Sequence, residues 1–267
     1  MSNSTHLLRT GCARRWIAIG GALLAITAAD VATARTLAEV RAIGAISMCA
    51  SPETLPYAND KPGDPGFQIE VGRAIAAGLG VTLSIEWTVP RRRARIVNCD
   101  MQLDAVNDVA MQEGRALLSR PYQRSGVALA LGRDATPVAD YKDLVKGQKI
   151  GVMVNSVASV VLGKNGATTS PYAFQDDMVQ DLAKGELFGA AVSIASLSYY
   201  IHTHPESGIR LSYAFDSTPE LSWEVSVGLR KADEALVAEV NRVLDQLLAD
   251  ATFSRIYAKY GVEHRRP

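Results

Sequence analysis

The sequence predicts an α/β protein of two lobes, each a sheet flanked by helices, with a groove between them. Three observations predict it. Apolar runs of strand length alternate with segments of helical spacing, the pattern of sheets whose ligands sit at the carboxyl ends of parallel strands. Two apolar strands, 126–131 and 222–229, carry the chain out of a first α/β unit and back to it. Residues 35–267 are enough for two lobes of roughly 100 residues each.

The N-terminus reads as an export signal over residues 1–34. Arg9, Arg14 and Arg15 supply positive charge, 16–29 is apolar, and Ala32, Thr33 and Ala34 are small enough for cleavage ahead of Arg35. The apolar run is short of the ~20 residues that span a bilayer, so no stable membrane insertion is expected. The Arg14-Arg15 pair leaves the general and twin-arginine export routes both open.

Residues 36–43 read as a short capped helix and 45–50 as a buried strand, followed by a Pro-rich loop. In 67–79, Phe67, Val71, Ile75 and Leu79 recur at helical spacing, and Gly80 stops the helix. The segments 81–87 and 103–109 read as strands. A second unit opens at 149–154, followed by helices at 157–162 and 176–184 and a strand at 188–192. The tail, 232–260, reads as a long helical region through Leu236, Val240, Leu244, Leu247 and Leu248, then Phe253, Ile256 and Tyr260.

The chain has 28 basic and 28 acidic residues, and removing 1–34 tips it slightly acidic. That balance excludes nucleic acid, which needs a concentrated basic surface; the run Arg91, Arg92, Arg93 with Arg95 is too short to supply one. Cys12 leaves with the signal. Cys49 and Cys99 lie near strands expected to be neighbours in one sheet, and in an oxidising compartment they read as a disulfide or, failing that, as two buried thiols. No cofactor and no metal are expected: His202 and His204 bind one only where further ligands converge.

Taken in order, PETLPYAND, GFQIEVGRAIAAGLG, LDAV, an arginine before LSRPY, and VNRVLDQLLADATFSRIYAKYGV resemble the family 3 periplasmic solute-binding proteins. The resemblance implies a monomeric, periplasmic type II (Venus-flytrap) binding protein. Lobe 1 would comprise 35–124 and 226–267 and lobe 2 125–225, with hinge crossings near 123–128 and 222–226. Within that family, MCASPETLPYAND, WTVPRRR, SRPYQRS and VSVGLRKADEAL resemble the quinoprotein-dehydrogenase-associated branch, accessories of PQQ-dependent methanol and related alcohol dehydrogenases.

The ligand set implied is Arg115, Tyr57, Asn59, Trp87, Gln112, Asn155, Ser156 and Ser193. Arg115 offers a planar fork for a carboxylate, or it caps a helix at the surface. Tyr57 covers the ligand or packs under its own loop. Asn155 and Ser156 offer backbone amides to an anion, or they simply cap a helix. Gln112 and Ser193 depart from amino-acid binders, which place Thr and Asp at the matching positions. Asp104, at a strand start, reads as structural.

The leading functional expectation is a non-catalytic protein that closes on a small ligand or partner, as an accessory to a PQQ-dependent alcohol dehydrogenase. One alternative is the substrate-binding component of an ABC importer, docking on its permease with a small carboxylate or amino-acid-like solute. The other is an enzyme like the cyclohexadienyl dehydratases, with Asp108 or Glu113 as proton donor.

Overall fold

The computed structural model describes residues 35–88, 99–114 and 116–267. The segment 1–34 expected to be an export signal, the run Arg91, Arg92 and Arg93, and Arg115 lie outside the described residues. Helix α1 (Leu37–Ile43) opens on a capping box: Thr36 Oγ1 accepts from Glu39 N at 3.1 Å while the Glu39 carboxylate accepts from Thr36 N at 2.8 Å. Strand β1 (Ala45–Ala50) follows, then α2 (Phe67–Gly78), which crosses to β2 (Thr82–Trp87), parallel to β1 along its whole length. Strand β3 (Met101–Val106) pairs on the other side of β1.

After the short β4 (Ala116–Leu118) come β5 (Gln123–Leu131), β6 (Lys149–Met153), α3 (Val157–Lys164), β7 (Thr168–Tyr172), α4 (Gln175–Ala183), β8 (Gly189–Ser193), α5 (Ile194–Thr203) and β9 (Arg210–Ser212). Strand β10 (Ser222–Arg230) leads back to α6 (Glu234–Ala249) and α7 (Thr252–Ala258). The strand order is β2-β1-β3-β10-β5-β8-β6-β7, with β4 on β10 and β9 on β5.

Strand β5 belongs to both halves of this sheet. Its first residues pair antiparallel with β10, Gln123 opposite Val225 and Gly126 opposite Ser222, and its last five pair with β8. Strands β5 and β10, which join the two halves of the sheet, are therefore hydrogen-bonded to each other. Gly126 permits this, because a Cβ there would lie 2.4 Å from the Leu221 carbonyl oxygen.

One apolar core packs α2, α6 and α7 against β1, β3 and β10 through Ile46, Met48, Ile75, Met101, Leu229, Val240 and Phe253. In the second lobe the sheet is buried on both faces: Leu129 and Leu131 enter a core with Ile150 and Phe215, while Ala128 and Ala130 enter another with Met178 and Leu197. Successive side chains of a strand point to opposite faces, so this doubly covered strand reads as one unbroken apolar run.

Three expectations are corrected. The strand expected over 103–109 ends at Val106, and a 3-10 turn at Ala110–Gln112 follows. Glu113 and Gly114 both hold positive φ, 49° and 70°, so the chain doubles back into β4, and the segment after Arg115 is a strand where a helix was expected. The tail is two helices, broken at Ala251 with φ 58°. Strands β4, β7 and β9 and helix α5 were not anticipated.

Candidate functional site

Along β3, Met101, Leu103 and Ala105 are buried in the core, which turns Gln102 and Asp104 to the opposite face of the sheet. That face lines a cleft of about 430 Å3 together with Cys49, Ala50, Ser51, Thr54, Tyr57, Gln68, Thr88 and Arg230. All ten residues belong to the elements around the first core. Cys49 is bridged to Cys99, with Cα atoms 5.5 Å apart, which ties the end of β1 to the start of β3.

The loop that carries Tyr57 is held in three ways. Thr54 N donates to Ala58 O at 2.8 Å, and Thr54 Oγ1 donates to Ser51 O at 2.9 Å. The first turn of α2 donates back to the loop, Phe67 N to Pro56 O at 2.8 Å and Gln68 N to Tyr57 O at 3.0 Å, which satisfies amides left free at a helix start. Gly66, with φ 93°, lets the chains meet, since a Cβ there would sit 2.3 Å from the Tyr57 carbonyl oxygen.

So fixed, the Tyr57 ring leans on Phe67 with centroids 5.1 Å apart, and its hydroxyl meets Ser193 Oγ at 2.9 Å. Ser193 ends β8 and caps α5, accepting from Ser196 N at 3.3 Å and sharing a second bond with Ser196 Oγ at 2.9 Å. The Tyr57–Ser193 bond thus ties the loop after β1 to the start of α5. Burial pushes the Tyr57 phenol up and keeps it neutral.

Asp104 and Asp100 differ sharply. Asp100 is buried and fully satisfied, accepting from Ser47 N and Ser47 Oγ at 2.8 Å each and from Arg35 at 3.2 Å. Asp104 is exposed to the cleft; desolvation by the surrounding protein pushes its carboxyl up, while its own backbone N–H pulls it down. Its charge in turn raises the Tyr57 and Tyr122 phenols. Sequence reasoning passed over Asp104 as structural, although the alternation in LDAV already turned it away from the core.

Of the other expected ligand residues, Ser193 reaches Tyr57 but not the cleft lining. Asn59 folds into its own loop, its Oδ1 accepting from Lys61 N at 3.2 Å and its Nδ2 donating to Asp64 O at 3.1 Å. Gln112 Nε2 donates to Val106 O at 3.2 Å and closes the turn after β3. Trp87, at the end of β2, is 37% exposed and outside the lining. Asn155 holds φ 57° at a turn, and Ser156 caps α3 by accepting from Ser159 N at 3.1 Å. Asp108 Oδ1 accepts from Ala110 N at 2.9 Å, a turn contact.

His202 lies in the last turn of α5 and His204 caps its end, stacked on Tyr200 with centroids 4.4 Å apart. Among the described residues no group of histidine, cysteine and carboxylate side chains is arranged to hold a metal ion, and no helix is long and apolar enough to cross a membrane.

The profile of the bacterial extracellular solute-binding proteins, family 3, matches residues 46–263. The lysine/arginine/ornithine-binding periplasmic protein of Escherichia coli (strain K12) is 26% identical over 81% of this chain and 90% of its own length. The membrane-bound lytic murein transglycosylase F of Desulfosudis oleivorans is 22% identical over 85% of the chain, which spans about half (50%) of that longer protein. Among solved structures, the unliganded, open L-cystine solute receptor of Neisseria gonorrhoeae aligns with a TM-score of 0.72 at 18% identity, covering 86% of this chain and 99% of its own. MxaJ from Methlophaga aminisulfidivorans MPT aligns with a TM-score of 0.64 at 18% identity, covering 82% and 99%. These likenesses carry the two-lobed α/β fold.

Proposed function

We propose, starting from the fact that the chain belongs to the family 3 bacterial extracellular solute-binding proteins, that it is a periplasmic, non-catalytic receptor for a small polar solute, delivered to an ABC importer. Its lobes are taken as 35–124 with 226–267 and 125–225, hinged at the paired strands β5 and β10. The observation that carries the reading is the polar cleft beside Tyr57, whose hydroxyl bonds across to Ser193. A ligand there favours the shut state because contacts from both lobes form only on closure. The names of curated relatives, one of them a lysine/arginine/ornithine-binding protein, point to the same class of solute. Thermal unfolding against amino acids, amines, organic acids and polyols tests it: a true ligand at 100 times its Kd adds about 2.7 kcal/mol. A flat response across all four classes rejects the receptor reading.

A second reading, an accessory to a PQQ-dependent alcohol dehydrogenase, is favoured by WTVPRRR, SRPYQRS and the serine at 193 where amino-acid binders carry Asp. It predicts co-purification with the dehydrogenase and loss of dehydrogenase activity in a deletion strain; undiminished activity in that strain counts against it.

A further inference from the structure

We infer that residues 263–267 form an acid-released clasp: a neutral His264 ring holds this segment on Tyr122 and α7, and a proton on that ring loosens it, and with it the Arg265 grip on Asp216 and β5. The seat suits a neutral ring. Phe253 stacks on one face with centroids 5.0 Å apart, Tyr257 meets the ring edge-on at 5.1 Å, and Nε2 donates to the Tyr122 carbonyl at 2.9 Å. Among the described residues no hydrogen bond reaches Nδ1, so a second N–H there would lack an acceptor.

The groups around the seat offer a cation little. The Tyr122 and Tyr257 phenols are neutral and give their protons to the Leu103 carbonyl and to Gln123. Of the two carboxylates on this side, Asp216 is gripped by Arg265, and Glu263 is exposed and accepts from Tyr213 at 3.1 Å. Arg266, held on the Leu248 carbonyl at 2.8 Å, adds a like charge, and the exposed His202 of α5 lies against Gly261. The Phe253 face and the Tyr122 carbonyl favour a charged ring, yet burial outweighs them and, with Arg266, pushes the His264 pKa down. Once freed, the ring returns to its ordinary value of about 6.5. Each pH unit below that value favours the freed segment by up to tenfold, or up to about thirtyfold at pH 5, until the seated ring is protonated too. In that window imidazole alone among these side-chain types changes charge. Arg265 O holds Arg124 N of β5 at 2.8 Å, so the release reaches the β5–β10 pair that the receptor reading takes as a hinge.

Trp223 supplies the test, because it shares a pocket of about 340 Å3 with Pro267. In a Trp16→Phe, Trp87→Phe background it is the one tryptophan of the full chain. Its emission is expected to shift to longer wavelength between pH 7.5 and pH 5, reversibly, with far-ultraviolet circular dichroism unchanged. His264→Gln, which keeps a donor but does not titrate, and His264→Phe, which keeps the stack, are expected to abolish the shift, and His202→Gln to retain it. A flat wild-type titration, or the same shift in both His264 variants, overturns the clasp whatever becomes of the receptor reading. Solution scattering on the same samples reads the hinge: the radius of gyration is expected to grow at pH 5 in wild type and not in His264→Gln. An unchanged radius beside an intact Trp223 shift overturns the link to the hinge, which rests on the receptor reading, and leaves the clasp.

Discussion

An acid with a raised pKa leaves a mark on stability that can be read without a ligand. Folding makes the Asp104 proton harder to lose, so the folded state binds it more tightly than the unfolded chain does. Stability contributed at this site then falls as pH rises from the ordinary carboxylate range through the raised value, and the cost is complete above it. The Tyr57 and Tyr122 phenols, which burial and the Asp104 charge push up, stay neutral across that window. Asp104→Asn is therefore expected to be more stable than wild type in urea at pH 7, with the gap closing near pH 3.5. A variant less stable at pH 7 would mean that Asp104 holds structure. Tyr57 and Ser193 make a second measurement at this scale. Their bond is neutral and net worth about 1 kcal/mol, so a double-mutant cycle of Tyr57→Phe and Ser193→Ala should give a coupling of that size; strict additivity would deny the bond. Much of this site was hidden in the sequence for a physical reason. Tyr57 and Ser193 are 136 positions apart and meet only through tertiary packing, and Asp104 comes to share a cleft with Tyr57 and Arg230 only through the fold.

Among the elements, those with strong local signals were legible to within a few residues: α1 through its capping box, α2 through its apolar spacing and Gly80, and β5 through its apolar run. The missed elements lack such signals. Strand β7 reads TTSPY, with a proline that an inner strand would exclude, and it is tolerated because β7, paired with β6, lies at the edge of the sheet formed by the described strands. Helix α5 reads IASLSYYIHT, poor in helix formers, and it stands because Ser193 caps it and Ile194, Ala195 and Leu197 are buried beneath. The Cys49–Cys99 bridge joins two elements that the sequence placed in one sheet. It closes a chain separation of 50 residues, for which loop entropy alone predicts about 4 kcal/mol. Replacing both cysteines by alanine is expected to lower urea stability by about 2 to 4 kcal/mol with the far-ultraviolet spectrum unchanged; an unchanged denaturation midpoint would show that the bridge does not restrain the unfolded chain.

At the scale of the molecule, the segment GVEHRRP ties together elements far apart in the chain, a role that its polar sequence does not announce. His264 stacks on Phe253 with centroids 5.0 Å apart and donates through Nε2 to the Tyr122 carbonyl at 2.9 Å, which fixes the segment to the first lobe. Burial pushes the His264 pKa down, so the ring is neutral at pH 7 and that donor tautomer persists. The next residue turns to the second lobe: Arg265 grips the Asp216 carboxylate with both arms, one of them at 3.0 Å, and lies 4.4 Å from the centre of the Tyr213 ring. Between these anchors, Arg265 O accepts from Arg124 N at 2.8 Å, so the tail runs beside β5 where the lobes cross. Strand β5 is thereby braced by a further segment anchored on both Tyr122 and Asp216. Arg265→Ala removes a half-buried bidentate pair but leaves the His264 anchor in place. Its expected cost is about 1 to 3 kcal/mol in urea, together with a larger radius of gyration in solution scattering and weaker ligand binding, because a smaller closed fraction lowers apparent affinity in proportion. Deleting residues 263–267 should move scattering and affinity in the same direction and further. Scattering curves that superimpose on wild type for both variants would assign the lobe angle to β5 and β10 alone.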